Sequence, residues 1–248
     1  MVRRSHLAVT GALLLLAVAS GVRADPFQMD SLYVAAGDGN VEEVRRLIAE
    51  GAEVDLMYRH DYPLHAAAAA GHVDVVKVLI GAGAAVNSRG TLGTPLHAAV
   101  GGHLAVVQLL IAKGANVNAR NTFGSTPLHF AAEAGKTDVV KALLAAGADV
   151  DSNKAGMSPL LRAAGAGKTE TALALIAAGA DVNARDCTSF TPLLVAAQRG
   201  DRVLVERLLS AGADLSAHSF RGDTPLSLAS KTGATTVADA LRAAGAVE

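Results

Sequence analysis

Six prolines recur along this chain at almost even intervals. Pro63, Pro95, Pro127, Pro159, Pro192 and Pro225 lie 32, 32, 32, 33 and 33 residues apart. Their surroundings repeat with them: Tyr-Pro-Leu-His at 62–65, Thr-Pro-Leu-His at 94–97 and 126–129, Ser-Pro-Leu-Leu at 158–161, Thr-Pro-Leu-Leu at 191–194 and Thr-Pro-Leu-Ser at 224–227. A fixed period of this length restricts the fold severely. Each copy is one supersecondary unit, too small to bury its own apolar face, so copies must stack.

One copy, Thr126 to Asp151, shows what the unit is. Thr126 is a good N-cap, because its hydroxyl can satisfy a helix N–H that has no partner in the first turn. Pro127 suits the first helical position. A short helix runs to about Ala134, and Gly135 turns the chain. Val139, Val140, Leu143 and Leu144 recur at helical spacing and form one apolar face of a second helix. Gly147 suits the left-handed position that closes it. Residues 148–158 then reach out as a finger before the next proline.

The Thr-Pro-Leu-His motif and the period resemble the ankyrin repeat. The likeness covers nearly all of residues 28–248 and includes a degenerate first copy at 30–55. It implies an all-α, helix-turn-helix solenoid of about seven repeats with short β-hairpin loops. Residues 25–61 then form an N-terminal capping repeat, 62–223 five internal repeats, and 224–248 a C-terminal capping repeat. It also implies that His65, His97 and His129 are structural, each hydrogen-bonding to the neighbouring repeat.

The repeat disposes of a decoy. Gly167-Lys168-Thr169, ahead of an apolar run, suggests a phosphate-binding loop. Such a loop needs a glycine five residues earlier and a buried strand before it, and the residue there is Arg162. Gly135-Lys136-Thr137 repeats the tripeptide one period upstream. Lys168 is therefore expected in the turn between two helices. The stretch from Asp149 to Leu160 fails as a calcium loop, with Lys154 and Leu160 where glycine and glutamate are required. No histidine pair has zinc-ligand spacing. No motif for acid–base or nucleophilic catalysis is present. The chain is read as no enzyme, with no cofactor and no metal.

Residues 1–24 read as a signal peptide. Arg3 and Arg4 precede an apolar segment, Leu7 to Ala19, too short to span a bilayer comfortably. Small residues at Val22 and Ala24 favour cleavage before Asp25; an uncleaved anchor is the alternative. The mature chain is thus expected in the periplasm or secreted, with no membrane contact, and the resemblance becomes one to an exported bacterial type of ankyrin protein. The net charge of the whole chain is −1. Without Arg3, Arg4 and Arg23 it becomes −4, which offers nothing to nucleic acid. Cys187 is the one cysteine, so no internal disulfide forms. It is a candidate reactive thiol, and the chain is expected as a monomer with a Cys187-linked dimer as the alternative.

Proteins of this family bind other proteins through finger tips and the exposed face of the first helix of each pair. The sequence supplies its own candidates. Of eight aromatics, five fall in or beside fingers: Tyr58, Tyr62, Phe123, Phe190 and Phe220. Basic residues join them at Arg59, Arg89, Arg120, Lys154, Arg185 and Arg221, and Arg162 stands on a first helix. Aromatics and arginines are the residue types that dominate interface energetics. The expectation is a protein-binding scaffold whose partner has an acidic surface. Two narrower roles stay open: an inhibitor or immunity protein for a toxin or enzyme, or an accessory factor for a periplasmic enzyme, of which the resemblance suggests a catalase. Two fingers, before Pro95 and before Pro159, are one residue short, and residues 97–103 lack one residue between their helices.

Overall fold

The computed structural model describes residues 26–153 and 156–247. The expected signal peptide, its cleavage point and Lys154 lie outside them. Among the described residues fourteen helices form seven pairs: α1 (Pro26–Gly37) with α2 (Val41–Ala49), α3 (Pro63–Ala70) with α4 (Val73–Gly81), α5 (Pro95–Ala99) with α6 (Leu104–Ala112), α7 (Pro127–Ala134) with α8 (Thr137–Ala145), α9 (Pro159–Gly165) with α10 (Thr169–Ala177), α11 (Pro192–Arg199) with α12 (Arg202–Ser210), and α13 (Pro225–Lys231) with α14 (Thr235–Ala243). Odd-numbered helices pack on the next odd-numbered helix, and even on even, so two parallel layers run the length of the stack. The main core is a continuous cluster along that line, built from one leucine per first helix and a Val-Val-Leu set or its equivalent per second helix.

Alanine explains how the layers close. Ala67, Ala68, Ala99, Ala131, Ala132, Ala163, Ala164, Ala196 and Ala197 on the first helices are all buried. Small residues on this face let successive helices approach closely. Large side chains such as Leu64, Leu96, Leu128, Leu160 and Leu193 then fill the space between the two layers, each fully buried.

The expected hairpins shrink to less than strands. Among the described residues the fingers hold isolated bridges and no strand, Tyr58 pairing with Asp61 and Gly90 with Gly93, with Met157 a further bridge residue. In the later fingers side chains reinforce a single backbone closure, Asn121 N–H to Ser125 O, Asp186 N–H to Phe190 O and Ser219 N–H to Asp223 O, each at 3.0 Å. Asn121 Oδ1 accepts the backbone N–H of Phe123 and Ser125, each at 3.0 Å. Asp186 Oδ1 accepts those of Thr188 and Phe190, each at 2.8 Å. Ser219 Oγ accepts those of Arg221 at 3.2 Å and Asp223 at 3.1 Å. Fingers this short offer too few backbone pairs for a ladder, and a local acceptor competes well there.

The histidines bridge repeats as expected. Nε2 of His65, His97 and His129 lies 3.0, 3.1 and 2.9 Å from the carbonyls of Gly93, Ser125 and Met157. Carbonyls only accept, so Nε2 carries the proton in each. In His97 and His129 the other nitrogen, Nδ1, accepts the backbone N–H of Thr94 and Thr126 at 3.1 Å. Thr126 therefore caps α7 in concert with the His129 ring, its hydroxyl 2.9 Å from Nδ1. Where the histidine is replaced, the hydroxyl caps directly: Ser158 Oγ accepts from Leu161 at 3.2 Å and Thr191 Oγ1 from Leu194 at 3.4 Å.

This arrangement requires neutral rings, and burial pushes the pKa of all three histidines down. The folded state then binds fewer protons than the unfolded chain. Stability is fully present above the unfolded pKa of about 6.5 and declines as pH falls below it. Thermal stability is expected to drop between about pH 7 and pH 5, ahead of carboxylate titration. Replacing His97 and His129 together by leucine, as Leu161 and Leu194 already stand in later repeats, should flatten that decline. An unchanged pH slope in the double variant would show that other groups carry it.

Candidate functional site

The finger row is the obvious surface, and the fold sorts its members. Phe123 and Phe220 project into solvent at 74 % and 87 % exposure. The other three finger aromatics are half-buried, contrary to the free display expected of them. Tyr58 packs its ring 5.2 Å from that of Tyr33 on α1, with the Arg59 guanidinium over it at 5.1 Å. The Tyr62 ring lies 5.5 Å from the imidazole of His65. Phe190 packs against a small second core of Leu194, Ala217 and Leu228.

The basic residues stay at the surface. Arg59, Arg89, Arg120, Arg185 and Arg221 are all exposed, and none forms an ion pair among the described residues. Arg120 braces its own finger by donating to the Gly124 carbonyl at 3.1 Å. Arg162 differs. It is half-buried on α9, paired with Glu133 of α7 at 2.7 Å, and donates to Ser125 Oγ at 3.3 Å. It ties two first helices together, so it is a strut as much as a contact residue.

The acids are spent elsewhere. At the base of the first five fingers, Asn or Asp accepts a backbone N–H of the next repeat: Asp55 from Ala85 at 3.0 Å, Asn87 from Asn116 at 2.8 Å, Asn118 from Asp149 at 2.9 Å, Asp151 from Asp181 at 2.8 Å and Asn183 from Asp214 at 2.9 Å. In the finger tips, Asp61 accepts from Thr91 at 3.1 Å, and Asp186 closes its own turn. Asp223 accepts from Lys231, which with neighbouring Ser219 holds its carboxyl below the usual range. Carboxylates are thus absorbed as backbone and side-chain acceptors, while the guanidiniums of the finger row are left to face solvent.

Two cavities lie along this surface. One, of about 530 Å³, opens between the last two fingers and is lined by Cys187, Phe190, Phe220, Arg221 and Leu228 among others. The Phe220 N–H donates to Thr188 O at 3.0 Å and joins the two finger tips across it. Cys187 is exposed at its edge. The second, of about 270 Å³, lies over α3, α5 and α7. No local motif marks either, though the residue missing from 97–103 marks the place of the second.

Lys168 sits where the repeat placed it, at the N-cap of α10. Its aliphatic stem lies against Gly135 of the preceding repeat, with Cδ 2.7 Å from where a Cβ would stand. His103 lies likewise over Gly71, and Arg199 over Gly167. These residues line the turn edge by packing on the previous turn, which leaves no phosphate cradle at Lys168. Among the described residues no three His, Cys, Asp or Glu side chains group as metal ligands, and no helix is long and apolar enough to cross a membrane.

Comparison with known proteins agrees with this architecture. Models described as ankyrin repeats (3 copies) match residues 6–90, 32–121 and 96–186, and one described as ankyrin repeats (many copies) matches 175–229. The crystal structure of the human ASB11 ankyrin repeat domain superposes with a TM-score of 0.78 at 28 % identity, covering 91 % of this chain and all of that one. No curated protein matches the chain.

Proposed function

The chain belongs to the ankyrin-repeat family, and from that premise we propose that it is a non-catalytic, exported scaffold that binds a protein with an acidic surface through its finger tips and first-helix face. Ankyrin repeats are protein-interaction scaffolds, and the fold is typically non-enzymatic. The observation that carries the finer reading is the row of exposed arginines on five of the six fingers, at Arg59, Arg89, Arg120, Arg185 and Arg221, none in an ion pair among the described residues. Complementary charge across an interface sets specificity and association rate. Phe123 and Phe220 stand in the same row as apolar anchors. Export rests on Arg3, Arg4 and the apolar run at 7–19.

The test is reversal of the row. Full-length protein would be crosslinked in the native cell envelope, and its partner identified by comparison with an Arg89→Glu, Arg120→Glu, Arg185→Glu variant. Three exposed pairs at about 0.5–1 kcal/mol each amount to about tenfold or more in affinity. The purified partner should therefore bind the variant at least that much more weakly and show a salt-dependent association rate with the wild type. Equal binding by both proteins would remove the finger row as the interface. The partner's own activity in the complex then separates inhibition from an accessory role.

A further inference from the structure

The cavity over α3, α5 and α7 has a physical origin in the sequence. α5 runs five residues where α3 and α7 each run eight. Residues 97–103 lack one position, so the helix stops at Ala99 and the chain turns through Val100 and Gly101. α3 and α7 close with a left-handed glycine, Gly71 and Gly135, whereas α5 closes on Val100 in a right-handed conformation. The missing turn leaves a groove between the ends of the flanking helices. Tyr33, Ala66, Leu92, Ala98, Val100 and Phe130 give it apolar walls. Leu92, on the adjoining finger, is 57 % exposed.

At about 270 Å³, the groove falls just short of the range of about 300–1,000 Å³ typical of small-molecule sites. It suits a side chain or two better than a whole cofactor. Its charges are equally specific. Asp61, the carboxylate among its lining residues, accepts the Thr91 N–H at 3.1 Å, and Glu133 of α7 is paired with Arg162 at 2.7 Å. Arg89 precedes Gly90, whose backbone lies against the Asp61 and His65 side chains of the groove wall, and Asn121, next to Arg120, donates to the carbonyl of Leu92 at 3.2 Å. Both arginines are exposed and without ion pairs among the described residues. His65 also lines the groove, and its buried Nδ1 has no hydrogen-bond partner among the described residues.

We propose that this groove docks a linear segment of the protein partner, placing an aliphatic side chain between α3 and α7 and carboxylates against Arg89 and Arg120. The groove crosses three successive first helices, and the two arginines stand on successive fingers. A ligand that reaches all of them runs along the stacking direction, as an extended chain does. The inference rests on the scaffold reading above and specifies where, and by what chemistry, the scaffold grips.

Phage-displayed random 12-residue peptides, selected on the full-length chain, provide the probe. Selected peptides are expected to share a leucine, isoleucine or valine with aspartate or glutamate within a few residues. Binding of the synthetic winners, read by fluorescence anisotropy, should fall about tenfold or more in Leu92→Asp and in Arg89→Glu with Arg120→Glu. Leu92 and both arginines are surface residues, so an unchanged thermal midpoint is the accompanying check that the variants remain folded. Val203→Ala, at an exposed residue of the second-helix layer away from the fingers, should leave the affinity unchanged. Peptides sensitive to Phe220→Ala but indifferent to the groove variants would overturn the groove and keep the scaffold. Failure to enrich any peptide would overturn a linear-segment site, while a folded partner captured through the arginine row would still stand.

Discussion

Leu143→Ala is expected to lower the free energy of unfolding by about 2–5 kcal/mol, the range found when a fully buried leucine is truncated and the cavity relaxes only in part. Leu143 is on α8, the second helix of the fourth of seven pairs, and has no solvent exposure. Its position magnifies the effect. In a stack each repeat is held by its neighbours, so a defect in the middle weakens coupling on both sides. Urea unfolding followed by circular dichroism should show a lower midpoint and a broader transition, or two transitions as the halves separate. Val203→Ala is the matched control. Val203 is also an apolar residue on a second helix, α12, but is 58 % exposed, and its truncation should change stability by no more than about 0.5 kcal/mol. Equal midpoints for Leu143→Ala and the wild type would mean that the second helices do not form the continuous core described above.

Much of this was written in local sequence signals. Prolines after Thr or Ser mark first-helix starts, glycines mark the turns, and the Val-Val-Leu spacing marks the buried face of each second helix, because each of those choices is decided within a few residues. What escaped was whatever depends on register between repeats. Glu133 and Arg162 are 29 residues apart, and they meet only because α7 and α9 stack side by side. Phe190 looked free in its finger, yet Leu194, Ala217 and Leu228 come from three separate segments to cover it. The missing residue at 97–103 was visible as a deletion, but its result was not. A shortened helix becomes a groove only when both neighbours keep their full length.

The same dependence on register makes Gly156→Ala the most damaging small substitution expected in the fingers. Gly156 lies in the finger before Pro159 with φ +81°, a conformation that costs an alanine about 1–2 kcal/mol. Contact adds to this. A Cβ there would stand 2.6 Å from the Cys187 nitrogen and 2.9 Å from two Asp186 backbone atoms. Backbone cannot rotate away as a side chain can, so the two fingers must part, at about 1–3 kcal/mol more for overpacking. Gly135→Ala is the informative comparison: φ is similarly left-handed at +71°, but the new atom meets the flexible stem of Lys168. Gly156→Ala should therefore cost about 2–5 kcal/mol and Gly135→Ala about 1–2 kcal/mol. Hydrogen exchange locates the difference, because faster exchange should be confined to the fingers around Gly156 and Cys187. If both variants lose the same small amount, the fingers are not packed backbone to backbone. The spacing of Arg120, Arg185 and Arg221 would then not be fixed by the fold, and a binding surface set by that spacing would lose its physical basis.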